Sequence, residues 1–205
     1  MPMPTRGKGD RYHHGDLRTA LVDTAIELID DRGVRQFSLA EASRRLGVAV
    51  SAPYAHFASR DDLLAAVAVR GYEVFHTESQ AEMARSTAPV DRLAAMAQAY
   101  VRFAGTHRPL FEVLFDVGLD KHSYPELKAA EQPISDAFAA CVEALTDSDA
   151  SADDLAEAVE ATAHGHAMFL LDGKYGQGAD AIERAAERAA AATRALVDGR
   201  HQLGG

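Results

Sequence analysis

A chain of 205 residues with 47% apolar and 25% charged side chains has the composition of a folded globular protein, which excludes a disordered chain and leaves room for one large core or two smaller ones. Its formal charge of −10 argues against a nucleic-acid partner until it is divided along the chain: residues 1–60 hold nine Lys or Arg against seven Asp or Glu, which leaves −12 for the remainder. A weakly basic head on an acidic body can still attract phosphate, because exposed charges are screened beyond about 8–10 Å.

The segment MPMPTRGKGDRYHHGD lacks the apolar core of a secretion signal, and residues 1–15 read as a flexible basic arm. Helical periodicity accounts for the rest of the chain, and the fold class it predicts is all-α. A first helix is expected over 16–32, burying Leu17, Leu21, Ala25, Leu28 and Ile29 and stopping at Gly33. Ser38 followed by Glu41 makes a capping box, so a second helix begins at Leu39, presents Leu39, Ala42, Ser43 and Leu46 on one face, and ends at Gly47. Val48 then plugs the angle to a third short helix, roughly 50–57. Pro53 has no amide proton and is tolerated only in a first turn, so this helix should start near Ser51, with Ser51 as its cap. Ser59, with Asp61 and Asp62 behind it, opens a long helix to about Ala84. Arg60 at its N-terminus is placed to share a phosphate with the backbone amides. Two short helices crossing at a glycine turn suit a helix-turn-helix that sets its second helix in the DNA major groove. On that helix Ser51 and Ala52 are the expected base contacts, through a hydroxyl and through a thymine methyl, and Arg44 and Arg45 sit at the groove rim.

The stretch Gly47-Val48-Ala49-Val50-Ser51-Ala52-Pro53-Tyr54-Ala55-His56-Phe57, succeeded by Ser59-Arg60-Asp61-Asp62-Leu63-Leu64, resembles the signature of TetR-family (tetracycline-repressor-like) transcription regulators. The likeness covers about the first third of the chain. Upstream, Tyr12-His13-His14-Gly15-Asp16-Leu17-Arg18 is similar to one branch of that family, whose C-terminal domain carries Trp-His-Gly; here only Ala163-His164-Gly165 is found. The resemblance implies phosphate contacts from Ser38, Tyr54, His56 and Arg60. Two positions depart from the pattern: Ala49 stands where serine is frequent and Val50 where a basic residue is frequent, which weakens a cap and removes a contact. The implied domain organisation is an arm over 1–15, a DNA-binding domain over 16–76 and a helical ligand-binding and dimerisation domain over 77–205.

In the body, helices are expected over 89–106, 109–117, 123–146 with a Ser123–Glu126 capping box and a kink or break at Pro133, 152–171 opened by Ser151 with Asp154, and 179–197. Tyr72, Phe75, Tyr100, Phe103, Phe111, Phe115, Phe138 and Phe169 are candidates to line a ligand cavity, with His107 or His164 as polar orienters; plain core is the alternative. Ile182, Ala185, Ala189, Ala192 and Leu196 form a stripe on the last helix, matched by Leu155, Val159, Ala163, His166 and Phe169 on the one before. The resemblance implies that these helices pair with their symmetry mates in a dimer; packing within one chain is the alternative. The lone Glu73–His76 step has no second copy to complete a di-iron site, and His164 and His166 lie about 200° apart on a helix, so no metal or cofactor is expected. No catalytic serine, histidine and aspartate pattern or glycine-rich phosphate loop is present, so no enzymatic activity is expected. The single Cys141 cannot form a disulfide within the chain, and no apolar run approaches the ~18 residues of a membrane span, which together predict a cytoplasmic protein. The combined expectation is a homodimeric repressor of a palindromic operator, released by a small molecule. An activator of the same fold, and a helical metal-binding or enzymatic bundle, stand as alternatives.

Overall fold

The computed structural model describes residues 14–120 and 123–203, so the expected basic arm up to His13, and His122, fall outside it. The described residues form eight α-helices and three short 3-10 turns, with no strand. They divide into two compact units, with the boundary between Leu64 and Ala65.

In the first unit α1 (His14–Arg32) buries Leu21, Val22, Ala25, Leu28 and Ile29, and its last turn meets Gly33 at φ 78°, a conformation open to glycine. A 3-10 turn (Val34–Gln36) leads to α2 (Leu39–Leu46). Ser38 caps α2 as expected, its Oγ accepting the Glu41 amide at 3.3 Å, and Gly47 ends it in the left-handed region at φ 68°. Leu39, Ala42 and Ser43 are buried, whereas Leu46 and Val48 are only half-buried.

The third element differs from its expectation. In place of a helix over 50–57 there is one 3-10 turn (Ala52–Ala55), and Ser51 makes no side-chain cap. Pro53 is buried and cannot donate, and Phe57, four residues later, must return to the core, where it is 3% exposed. The chain meets both demands with tight bonds: the Tyr54 amide donates to the Ser51 carbonyl at 3.2 Å and the His56 amide to the Pro53 carbonyl at 2.9 Å. The next helix, α3 (Arg60–Met83), opens on reciprocal caps, the Ser59 amide to Asp62 Oδ2 at 3.0 Å and the Asp62 amide to Ser59 Oγ at 3.1 Å. Leu63 and Leu64 complete the core of the first unit.

The second unit holds the rest of α3 with α4 (Pro89–Thr106), α5 (Arg108–Asp116), α6 (Pro125–Glu143), α7 (Asp149–Leu171) and α8 (Ala179–Asp198). Central α4 packs most extensively on α8 and α7. The buried face of α8 is Ala181, Ala185, Ala186, Ala189, Ala190, Thr193 and Val197, small residues that admit a neighbouring helix closely. At the closest approach a Cβ added to Gly105 would lie 2.8 Å from Ile182. Arg102 clamps the same pair of helices, its Nη2 and Nε reaching the Glu183 carboxylate at 2.7 and 2.9 Å, and Arg194 reaches Asp91 at 3.0 Å. Met83, Leu93, Met96, Cys141, Val142, Leu155, Val159 and Val197 form one apolar cluster, and burial pushes the Cys141 thiol up.

Several helix starts differ from expectation. Ser148, not Ser151, caps α7 by accepting the Ser151 amide at 3.3 Å. No side-chain cap opens α6; Ser123 donates instead to Asp120. Pro133 does not interrupt α6; Ala129, whose carbonyl loses its partner, and Pro133 are both exposed, so the freed carbonyl is not sealed in the core. Among the described residues no helix is long and apolar enough to cross a membrane.

Candidate nucleic-acid interface and ligand cavity

The segment 49–55, which holds the 3-10 turn Ala52–Ala55, presents Val50 (54% exposed) and Tyr54 (58% exposed), flanked by exposed Ala49, Ser51 and Ala55. Large apolar side chains left bare together on a small head mark a surface made to be covered. Ala52 and His56 are half-buried beside it. Pro53, expected at the interface, is part of the core and sets the turn from behind.

The arginines are more committed than their spacing suggests. Glu41 binds Arg44 at 2.7 Å and Arg32 at 3.3 Å. Arg45 binds Asp31 at 2.6 Å, which holds its pKa above the ordinary arginine value. Arg44 remains 65% exposed and can turn outward. Arg60 is different: its Nη2 donates to the Val34 carbonyl at 2.6 Å, its Nε to the Phe37 carbonyl at 3.1 Å, and its guanidinium lies 5.9 Å from the Phe37 ring. Its third nitrogen, Nη1, faces the exposed Asp61 carboxylate at 3.4 Å, so in place of the expected phosphate contact most of the fork is committed to an internal brace. Arg18 likewise lies over the Phe57 ring, at 5.1 Å.

The second unit contains a cavity of about 510 Å³, a volume that suits a small organic ligand. Of the residues proposed from sequence, Tyr72, Phe75, Tyr100, Phe103, Phe115, Phe138 and His164 line it. Three do not. His107 Nε2 pairs with Glu78 at 2.8 Å; Phe111 lies behind the wall, 2% exposed and 4.7 Å from the Phe115 ring; Phe169 faces outward, 48% exposed, with Lys174 3.8 Å from its ring. Sequence reasoning missed Met96, Leu114, Ile134 and Ser135 and, above all, Glu131 and Glu160. Tyr100 Oη lies 2.9 Å from His164 Nδ1, and Tyr72 donates to Glu131 Oε1 at 3.3 Å. Burial, with the Glu160 carboxylate and Tyr72 nearby, pushes the Tyr100 phenol far up, so it stays protonated. Burial and the neighbouring Glu131 also hold the Glu160 carboxyl above the usual carboxylate range.

The stripe proposed for a dimer is mostly core of the single chain. Leu155, Val159, Ala185 and Ala189 are 0–2% exposed, with no surface left for a second copy. Ile182 packs on Gly105, Leu196 joins the apolar cluster, Ala192 is half-buried, and His166 pairs with Tyr175. Exposed positions left on α7 and α8 include Phe169, Ala191 and Ala195, whereas exposed Ala161 lines the cavity.

Residues 21–67 match the family model of bacterial regulatory proteins of the tetR family, and residues 93–193 match that of the tetracyclin repressor-like C-terminal domain. The chain belongs to the TetR family. TetR-family proteins are transcription regulators with a DNA-binding helix-turn-helix, and the family fold implies DNA binding and dimerisation. The chain is similar to a solved protein of unknown function from Rhodococcus sp. RHA1, at 26% identity and TM-score 0.71, with 91% of this chain and 97% of that one covered. It is also similar to a tetR-family regulatory protein from Rhodococcus RHA1, at 20% identity and TM-score 0.64 over 86% and 95% of the two chains. RolR in complex with resorcinol is similar at 18% identity and TM-score 0.61 over 93% of each chain. At these last two identities the likeness is one of fold. No curated protein matches the chain.

Proposed function

We propose that this TetR-family protein is a repressor that binds a palindromic operator as a homodimer and releases it when a small organic ligand fills the cavity of its body. The observation that carries this reading is a single helix with two attachments. The first turn of α3, capped at Ser59 and braced by Arg60, belongs to the unit bearing the exposed turn, and further along the same helix Tyr72 and Phe75 line the cavity. In this reading residues 16–76 act as the DNA-binding domain and 77–205 as the ligand-binding and dimerisation domain.

On DNA, Ser51 and Ala52 read base edges through a hydroxyl and a methyl, and Val50 and Tyr54 cover groove wall and sugar-phosphate. Ser38, Tyr54, His56 and Arg44 supply phosphate contacts. One short turn reads few bases, and two copies must act together on half-sites about 34–36 Å apart. The open faces of α7 and α8, with Phe169, Ala191 and Ala195, supply the dimer contact. Ligand filling the cavity tilts α3 and changes the separation of the two turns, so both halves of the operator lose affinity at once. For this to act as a switch the ligand must favour the released state by about 3–5 kcal/mol. The resorcinol-bound relative supports a body of this fold holding a small aromatic molecule.

Selection of bound duplexes from a random pool tests the reading. A palindromic winner with half-sites one helical turn apart is expected; failure to retain any duplex at low ionic strength would overturn it.

A further inference from the structure

The cavity wall runs from closed to open. Tyr72, Phe75, Met96 and Phe103 are buried, whereas Phe115, Ser135, Glu160 and Ala161 are exposed and mark the mouth. Glu131 accepts the Tyr72 hydroxyl at 3.3 Å, and Glu160, at the mouth, is in reach of solvent. His164, in the same wall, is half-buried, its ring stacked 6.0 Å from that of Phe111 and 5.7 Å from that of Phe115. Its Nδ1 lies 2.9 Å from the Tyr100 hydroxyl, which has no other hydrogen-bond partner among the described residues. That hydroxyl stays protonated, and the arrangement that leaves its proton matched has Tyr100 donating to Nδ1, which puts the imidazole proton on Nε2. Nε2 makes no hydrogen bond to any described residue and is not sealed in the core.

We propose that the ligand of this cavity is an uncharged aromatic compound bearing a hydroxyl or carbonyl oxygen, and that this oxygen accepts a hydrogen bond from His164 Nε2. The proposal rests on reading the cavity as the effector site and names what that site takes.

Other ligand classes meet a mismatch. An ammonium group brings only donors to a position that is itself a donor, and the Glu160 carboxylate that would attract it stands at the mouth, where water screens the attraction. A carboxylate would lie near Glu131 and Glu160 with no Lys or Arg among the described lining residues to hold it. A hydrocarbon covers the N–H and gives it no acceptor. An aromatic alcohol, phenol or ketone supplies that acceptor, and its ring meets a wall of rings: Phe75 and Phe103 lie 5.4 Å apart and Tyr100 and Phe115 5.5 Å apart between centres.

Four probes built on one ring test the assignment: 4-methylphenol, toluene, benzylammonium and benzoate, titrated calorimetrically into the full chain and into the Tyr100→Phe, His164→Phe double variant. The variant keeps both rings and removes both polar partners together, so neither is left unmatched, and a melting curve checks that it is folded. The unaltered protein is expected to bind 4-methylphenol roughly tenfold or more tighter than either charged probe. The double variant is expected to lose roughly three- to tenfold in affinity for 4-methylphenol with toluene binding unchanged, and Tyr100→Phe alone, which leaves Nε2 in place, to keep most of it. A charged probe that binds tightest overturns the uncharged class. A loss for 4-methylphenol no greater than that for toluene, or an equal loss in Tyr100→Phe alone, overturns the contact with His164; each of these results leaves the cavity a ligand site. Binding as expected that leaves retention of the selected duplex unchanged overturns the effector-site reading alone, and failure of all four to bind overturns both.

Discussion

The guanidinium of Arg60 is engaged by the protein's own backbone, and that decides what its loss would do. Two carbonyls, of Val34 and Phe37, take its donors in a partly buried setting. Arg60→Ala leaves both acceptors without their charged donor, a loss of about 1–3 kcal/mol. The expected outcome is a lowered denaturation midpoint of the full chain with an unchanged salt slope of DNA binding; unchanged stability with a slope reduced by about one would return the residue to the phosphate backbone. Sequence spacing could place Arg60 at a helix N-terminus but could not show where its fork points, since Val34 and Phe37 are brought to it by folding. The same holds for Glu131 and Glu160. Each reads in sequence as an ordinary solvated acid on a helix, and only the packing of α6 and α7 brings them to one cavity. The aromatic lining was legible, because bulky side chains in an alanine-rich body must be buried somewhere; which rings face a void and which lie behind the wall, as Phe111 does, was not.

At the scale of elements, caps and stops in the head were legible: Ser38 takes the Glu41 amide, Gly47 ends α2, and Ser59 and Asp62 cap each other. Equally local signals at Ser51, Ser123 and Ser151 do not open their helices. The recognition element is shorter than its spacing suggests, because Pro53 sits only four residues from the anchor Phe57 and tertiary closure reduces the helix to a turn. The stripe on α8 exists, but its partner differs from expectation. Small residues at helical spacing announce a close neighbour, and the neighbour is α4 of the same chain. Gly105→Ala tests that proximity. Alanine gains about 1 kcal/mol in helix propensity, but its Cβ meets Ile182 at 2.8 and 3.0 Å and Leu170 at 3.0 Å, an overpacking worth about 1–3 kcal/mol. Net destabilisation is expected, partly relieved when Ile182→Val trims the opposing side chain. Additive effects in that double-mutant cycle would mean the helices yield freely and the approach is not tight.

For the whole molecule, charge and chemistry divide together along the chain. The head exposes apolar and hydroxyl groups on one turn, whereas the acidic body holds aromatic rings and carboxylates around a void. Family membership explains why a chain of net charge −10 carries a DNA-binding head: attraction is needed only within a Debye length of the turn, and acidic residues further away cost little.

The 24 residues of α3 form one continuous helix about 36 Å long. In the proposed switch, Tyr72 and Phe75 at the cavity share this one helix with Arg60 in the head, so the signal has a continuous backbone to follow and needs no chain of relayed side chains. Severing the helix should silence that message while sparing both correspondents. Arg70→Pro, at an exposed position, removes one hydrogen bond at a cost of about 3 kcal/mol. The variant should still retain the selected duplex and still take up whatever small molecule releases the unaltered protein, yet show the same affinity for DNA whether or not the cavity is filled. A variant that continued to let go of its operator on demand would mean the signal travels by another route.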